Sequence, residues 1–197
     1  MKKIILVGAL LTYSTLWALV PGQKALDFEL KDENSTPHKL SQYLGKVVIL
    51  EWLNHGCPFV RKHYDSKNMQ SLQEKYGSKK GVIWLSIISS APGKQGHSDE
   101  KKARADKAAK ASKAHAILLD PTGKVGRLYG AKVTPHIFII GRRGTVLYQG
   151  AIDNVPSTDQ GDIPKATNYV VKAMNAIDKG QKVKVAKTTP YGCGVKY

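Results

Sequence analysis

The sequence predicts one α/β domain, a sheet of buried strands with helices packed on it, and three observations carry that expectation. Residues 47–50, 82–88 and 136–140 are short, almost continuously apolar runs rich in β-branched residues, the pattern of strands covered on both faces. Helix-forming stretches alternate with them or follow them, at residues 58–76, 99–114 and 163–178. The 197 residues are 42% hydrophobic and 23% charged, enough for one core and unlike a disordered chain.

Residues 1–18 read as a secretory signal peptide. Lys2 and Lys3 precede an apolar stretch at 4–11, and Ala18 is a small residue suited to cleavage, although Leu16 departs from the usual small residue two positions earlier. The stretch is short for a membrane span and is interrupted by Thr12, Tyr13 and Ser14; an uncleaved N-terminal anchor is the alternative. Export implies a periplasmic or secreted protein, a setting in which two cysteines can form a disulfide. The expected division is 1–18 signal peptide, 19–180 domain and 181–197 tail.

Along the domain, Leu26, Phe28 and Leu30 alternate with polar residues, so 20–30 is expected to be an N-terminal β segment. Residues 31–37 read as loop and His38 as an exposed loop histidine. The helix expected over 58–76 has an imperfect apolar stripe (Val60, Tyr64, Met69, Leu72, Tyr76), with 65–68 set to bend or interrupt it and Gly77 to end it. A strand at 116–119, a turn at 120–123 and a short helix at 124–129 closed by Gly130 follow. A hairpin of 136–140 and 145–149 turns at 141–144. The last helix, 163–178, presents Tyr169, Val170, Ala173, Met174 and Ile177 inward. The order is β-α-β-α-β-β-α, with no repeats.

Charge narrows the partners. There are 31 basic and 15 acidic residues, a formal net charge of +16, which favours anionic partners in general. No basic stripe interleaved with aromatics and no zinc-finger spacing points to nucleic acid, so none is expected as a partner. The lysine-rich stretch 99–114 has alanine as its only apolar residue type. It is expected to cover a sheet edge with a solvated face, and peripheral contact with acidic lipid is the alternative.

Cys57 carries the chemistry. The apolar strand ends near Trp52, Asn54, His55 and Gly56 form a short turn, and Pro58 suits the first position of a helix. Cys57 is therefore expected at a helix N-terminus, where unpaired N–H groups and the helix dipole favour thiolate, and Arg61 adds a positive charge one turn on. Partial exposure would make it a reactive nucleophile; an inert buried cysteine is the competing reading.

At these residues the sequence resembles the thioredoxin superfamily, in particular its peroxiredoxin-like (alkyl hydroperoxide reductase/thiol-specific antioxidant, redoxin) branch, from about residue 21 to about residue 179. The resemblance implies a thioredoxin-like fold, a central mixed β-sheet flanked by helices, here with an N-terminal β extension and a C-terminal tail. Cys57 matches the first cysteine of the Cys-x-x-Cys motif, while Val60 stands at the second. Val133-Thr134-Pro135 matches the cis-proline loop, and Glu51 falls where thioredoxins keep a buried carboxylate. The peroxiredoxin motif Pro-x-x-x-Thr/Ser-x-x-Cys has Leu50 and Asn54 at its first two defined positions here. The segment ending Tyr148-Gln149-Gly150 fits the family pattern as well.

These matches imply an exported thiol-dependent oxidoreductase that reduces a peroxide or a disulfide through Cys57, drawing electrons from a thiol reductant or a thioredoxin-like donor, with no cofactor. Asn54 is expected to donate a hydrogen bond in place of the motif hydroxyl, and His55 to tune the thiolate from the rim. Thr134 and Pro135 are expected to shape the substrate side. Arg61 and Arg127 are candidates for polarising a peroxide or anion, and Glu51, if buried, for moving protons to or from sulfur. A metal site of Cys57 with His55, His63 and His136 is a minor alternative, since none has zinc-site spacing. Cys193, the one other cysteine, lies between Gly192 and Gly194 in a tail beyond the resembling region. It is expected to resolve oxidised Cys57 within one chain or across a homodimer. The alternatives are a static disulfide, an anchor for the tail, or pairing with another protein. A non-catalytic binding module for a partner protein, a thiol ligand or a metal is the reading from a different class, favoured by the loss of the second motif cysteine to Val60.

Overall fold

Residues 19–197 are the described part of this computed structural model; the segment read as a signal peptide, 1–18, lies outside them. Strands β1 (Glu29–Asp32) and β2 (Pro37–Lys39) form a hairpin. A 3-10 turn at Leu40–Tyr43 leads to β3 (Val47–Trp52). Helices α1 (Pro58–Asp65) and α2 (Asn68–Gly77) precede β4 (Val82–Ile88). Then come α3 (Glu100–Ala109), β5 (Ala116–Leu119), α4 (Lys124–Tyr129) and β6 (Val133–Thr134). The chain finishes with β7 (His136–Ile140), β8 (Val146–Gly150), α5 (Tyr169–Asp178) and β9 (Cys193–Gly194).

The main sheet has the order β2-β1-β5-β4-β3-β7-β8. β3, β4 and β5 run parallel, with antiparallel pairs on both flanks. This is the expected mixed sheet of the thioredoxin-like fold. β3 is buried along its whole length, because side chains alternate between two covered faces. Val47 and Ile49 enter the core with Tyr64 of α1, Leu72 of α2 and Met174 of α5. Val48, Leu50 and Trp52 enter a second core with Phe28, Val125 and Tyr129. Such a doubly covered strand holds the residues at its C-terminal end rigidly in place.

Several expectations are corrected by pairing partners that lie outside the local sequence. The N-terminal β segment is paired at 29–32 rather than over 20–30, and the stretch before it is tied by separate bonds such as Gly22 N–H to the Val146 carbonyl at 2.8 Å. His38 sits in β2, not in an exposed loop, with Nε2 2.9 Å from Asp32 Oδ2. The stretch 58–76 is interrupted within 65–68, as expected: two helices meet where Lys67 takes φ +63°. α3 stops at Ala109, just before Ala111 turns to φ +49°. The last helix starts only at Tyr169, where Asn168 caps the Val171 N–H at 3.0 Å; Pro164 upstream belongs to a separate 3-10 turn.

Within α3 only Ala103 is buried. Lys102 pairs with Asp106 and Lys107 with Glu33, and Lys110 just past the helix pairs with Asp65 at 2.8 Å, so much of the basic charge here is matched and contact with lipid finds no support. No helix among the described residues is long and apolar enough to cross a membrane.

The tail does not trail away from the domain. It returns over the end of β3, where β9 pairs antiparallel with β6 and Cys193 lies opposite Thr134.

Candidate active site

The turn after β3 is built by Asn54. Its carbonyl accepts the Cys57 N–H at 2.9 Å, and its Oδ1 accepts the Gly56 N–H at 2.8 Å. Its Nδ2 donates to Gln95 Oε1 at 3.1 Å. These bonds set Cys57 as the N-cap of α1, with Pro58 at the first helical position, where a missing N–H costs nothing. They also occupy the Asn54 side chain, which brackets the loop and does not stand in for a motif hydroxyl at sulfur.

Cys57 is 0% exposed, against the expectation of partial exposure. As a thiol it donates to the Thr134 carbonyl at 3.1 Å, and its Sγ accepts the Cys193 N–H at 3.3 Å. Both cysteines are free. Burial alone would push the Cys57 thiol up. Hydrogen bonding from the Cys193 side chain, and then from the Val60 and Cys193 backbones, outweighs it, so the net shift is downward. Each of those donors satisfies the thiolate better than the thiol. Cys193 moves the other way, to about 11, through burial first and then its hydrogen bond to Cys57 and the charge there. The two shifts run in opposite directions, so Cys57 is the more acidic thiol of the pair.

The other expected site residues divide. Thr134 and Pro135 stand beside the sulfur, joined by a cis peptide bond. Arg61 is exposed, and its charge pulls Cys193 down; hydrogen bonds, not this guanidinium, lower Cys57. His55 packs edge-on to Tyr64 at 5.2 Å with both ring nitrogens unpartnered, and burial takes its pKa down to about 4. It is a neutral packing residue, not a charged rim group. Arg127 lies on α4, donates to the Thr122 carbonyl at 2.7 Å and stacks 4.5 Å over the Tyr197 ring. It holds the chain's end rather than the reacting sulfur.

Glu51 is fully buried on the α1 side of β3 and accepts from Tyr64 Oη (3.0 Å), Gln73 Nε2 (3.2 Å), Trp84 Nε1 (2.9 Å) and Ser86 Oγ (2.9 Å). Burial raises its pKa, opposed by those four donors. The carboxyl ties β3 to β4, α1 and α2, and its bonds lead away from Cys57. Among the described residues no group of three or more His, Cys, Asp and Glu is placed to hold a metal ion. His63, for its part, is enclosed by Asn68 and Asp153.

Two residues of the site, Tyr191 and Thr188, escaped the sequence reading, and a third, Gly192, was legible only as a glycine beside Cys193 and not by its partner. Tyr191 lies edge-on to Phe59 at 5.7 Å and donates its hydroxyl to buried Asp153. Thr188 roots the tail on β8, its Oγ1 accepting the Ala151 N–H at 2.9 Å. Gly192 lies directly against Thr134. Their one sequence signal is that aromatic residues, Tyr191 and Tyr197, flank the glycine-cysteine-glycine of the tail.

The fold has counterparts among known proteins. A hypothetical protein of Sinorhizobium meliloti 1021 superposes with a TM-score of 0.78 at 22% identity, covering 91% of this chain and 96% of that one. An uncharacterized conserved protein of Geobacillus kaustophilus gives 0.74 at 21% identity, covering 92% and 94%. A candidate thiol:disulfide interchange protein DsbE of Chlorobium tepidum gives 0.51 at 32% identity, covering 67% and 85%. No curated protein matches the sequence. The model of the AhpC/TSA family matches residues 21–149, a span that runs from the first described turn into β8 and includes Cys57 and Pro135. The chain belongs to the AhpC/TSA family, a peroxiredoxin-like member of the thioredoxin superfamily.

Proposed function

We propose that Cys57 reduces a peroxide or a disulfide and that Cys193 resolves the oxidised sulfur. The observation that carries this reading is the placement of the chain's two cysteines, with the Cys193 N–H 3.3 Å from Cys57 Sγ. With a hydroperoxide, the Cys57 thiolate attacks the outer oxygen and the O–O bond breaks. The alkoxide or hydroxide leaves and takes a proton, and Cys57 becomes a sulfenic acid. The Cys193 sulfur then attacks Cys57 sulfur, water leaves with the thiol proton, and a Cys57–Cys193 disulfide remains. Two equivalents of an external thiol, or one dithiol donor, return both cysteines to the reduced state.

With a disulfide substrate, Cys57 forms a mixed disulfide, Cys193 attacks its Cys57 sulfur, and the substrate thiolate leaves. The lowered pKa of Cys57 and the raised pKa of Cys193 suit this division of roles. Family membership and the Chlorobium tepidum neighbour support thiol redox chemistry in general. Export to a periplasmic or extracellular setting, supported by the leader sequence, is part of the same proposal.

The test is to oxidise reduced protein with one equivalent of hydrogen peroxide, digest it without reductant, and identify the peptides. A Cys57–Cys193 linked peptide, absent in Cys57→Ser, is the expected product. Cys57 sulfinic acid with Cys193 still free would end the resolving role. Both thiols intact after peroxide, and again after a small disulfide such as oxidised glutathione, would favour a non-catalytic binding module.

A further inference from the structure

The sulfur assigned the chemistry is covered by the chain's own end. The tail is rooted on β8, where the Thr188 N–H reaches the Gln149 carbonyl at 3.1 Å. Beyond that root it crosses Cys57 and is pinned on the far side. The Val195 N–H donates to the Lys132 carbonyl at 3.0 Å, and the Lys196 carbonyl accepts the Ala91 N–H at 2.8 Å. Tyr197 Oη donates to the Ala131 carbonyl at 2.6 Å, under the Arg127 guanidinium. With this strap down Cys57 has no exposed surface.

Seating depends on a position with no side chain. A Cβ at residue 192 would lie 2.0 Å from the Thr134 carbonyl oxygen, 2.7 Å from its carbon and 3.3 Å from Pro135 N. All three are backbone atoms of the loop that carries β6, so no rotamer change relieves the clash. Gly192 also takes φ +142°, a conformation that side chains resist.

We propose that residues 191–197 are a shutter over Cys57 and that Gly192 is the access-determining residue, because only glycine lets the shutter close. Cys57 then meets an outside reagent through the lifted state, so its rate follows how often the strap opens. Bulky disulfides need a wider opening than small oxidants and are held back more. The proposal deepens the function above by assigning what controls entry to the same site. Its test reads access alone and does not require that Cys57 be redox-active.

The experiment uses full-length protein carrying Cys193→Ser, which leaves one thiol and keeps the residue-193 N–H. Gly192→Ala and, separately, Tyr197→Ala are added to it. Tyr197→Ala removes the far pin without touching the surroundings of Cys57. Each protein is checked for folding by circular dichroism, then alkylated with iodoacetamide and with a bulky polyethylene-glycol maleimide across pH, and plateau rates are compared so that a shifted thiol pKa does not enter. Both added substitutions should speed alkylation by roughly tenfold or more, and the bulky reagent should gain more than the small one. Folded variants whose rates stay within about twofold of the single mutant for both reagents would overturn the shutter. If Gly192→Ala does not fold, Tyr197→Ala decides. A working shutter in a protein whose thiols both stay intact after peroxide and after a small disulfide would sink the redox reading and leave this one standing.

Discussion

The backbone N–H of Cys193 donates to Cys57 Sγ at 3.3 Å although 136 residues separate them. A thiolate held by an N–H from the tail has its acidity set partly by the tail. The Cys193 side chain is the largest influence lowering the Cys57 pKa, after burial, which raises it. Replacing Cys193 by Ala removes that donor, while Ser keeps one. The pH midpoint of Cys57 alkylation should therefore lie higher in Cys193→Ala than in Cys193→Ser. Coincident profiles would show that the side chain at 193 does not tune the sulfur.

Tyr191→Phe should loosen the tail without touching either cysteine. The hydroxyl donates to Asp153, a carboxylate buried to 2% exposure beside His63. Its loss strips one donor from a buried acceptor, a change that costs about 1–3 kcal/mol. Urea unfolding should give an unfolding free energy lower by that amount and so a lower midpoint, and the residue 193–195 amides should exchange faster with deuterium.

Asn54→Ser installs the hydroxyl of the peroxidase motif, yet it should not raise the rate of reaction with hydrogen peroxide. The Asn54 side chain is turned to the Gly56 N–H and to Gln95, so the new hydroxyl inherits the loop and not the sulfur. Stopped-flow measurement should find a rate no more than about twofold above wild type, with slightly lower stability from the lost bonds. A large gain would mean that position 54 faces the oxidant after all.

Mild acid should destabilise the fold through its buried imidazoles. Burial lowers His55 and His63 to about 4 and His136 to about 3. Unfolded histidine titrates near its ordinary value of 6.5. As pH falls below that value, the unfolded chain binds protons that the native histidines refuse, and stability drops until the native values are reached. Each such proton is worth ~1.4 kcal/mol per pH unit. Glu51, raised by burial, works in the opposite sense, one carboxyl against four imidazoles, since burial lowers His115 as well. Urea midpoints taken stepwise from about pH 7 to about pH 5 should fall, and fall less in His63→Gln, provided that variant folds.

The parts of this protein legible in its sequence are those whose cause is local. A β-branched run announces β3 because strand burial needs only the residues themselves to be apolar. Pro58 announces the start of α1 because proline suits a helix's first position, and that places Cys57 at the junction. Thr134-Pro135 was readable as a matched motif, with its cis bond. The tertiary structure alone decided what surrounds the sulfur. Asn54, His55 and Arg127 are polar residues near Cys57 in the sequence or in expectation, and each turned to a partner that no local pattern names: Gln95, Tyr64 and Tyr197, while Arg61 stays exposed. The tail has no apolar period to fix its path. Its course follows from separate backbone bonds to β8, Lys132 and Ala91 and from the one place where Gly192 fits against Thr134. Such contacts join residues far apart in the chain, and only the folded domain brings their donors and acceptors within reach.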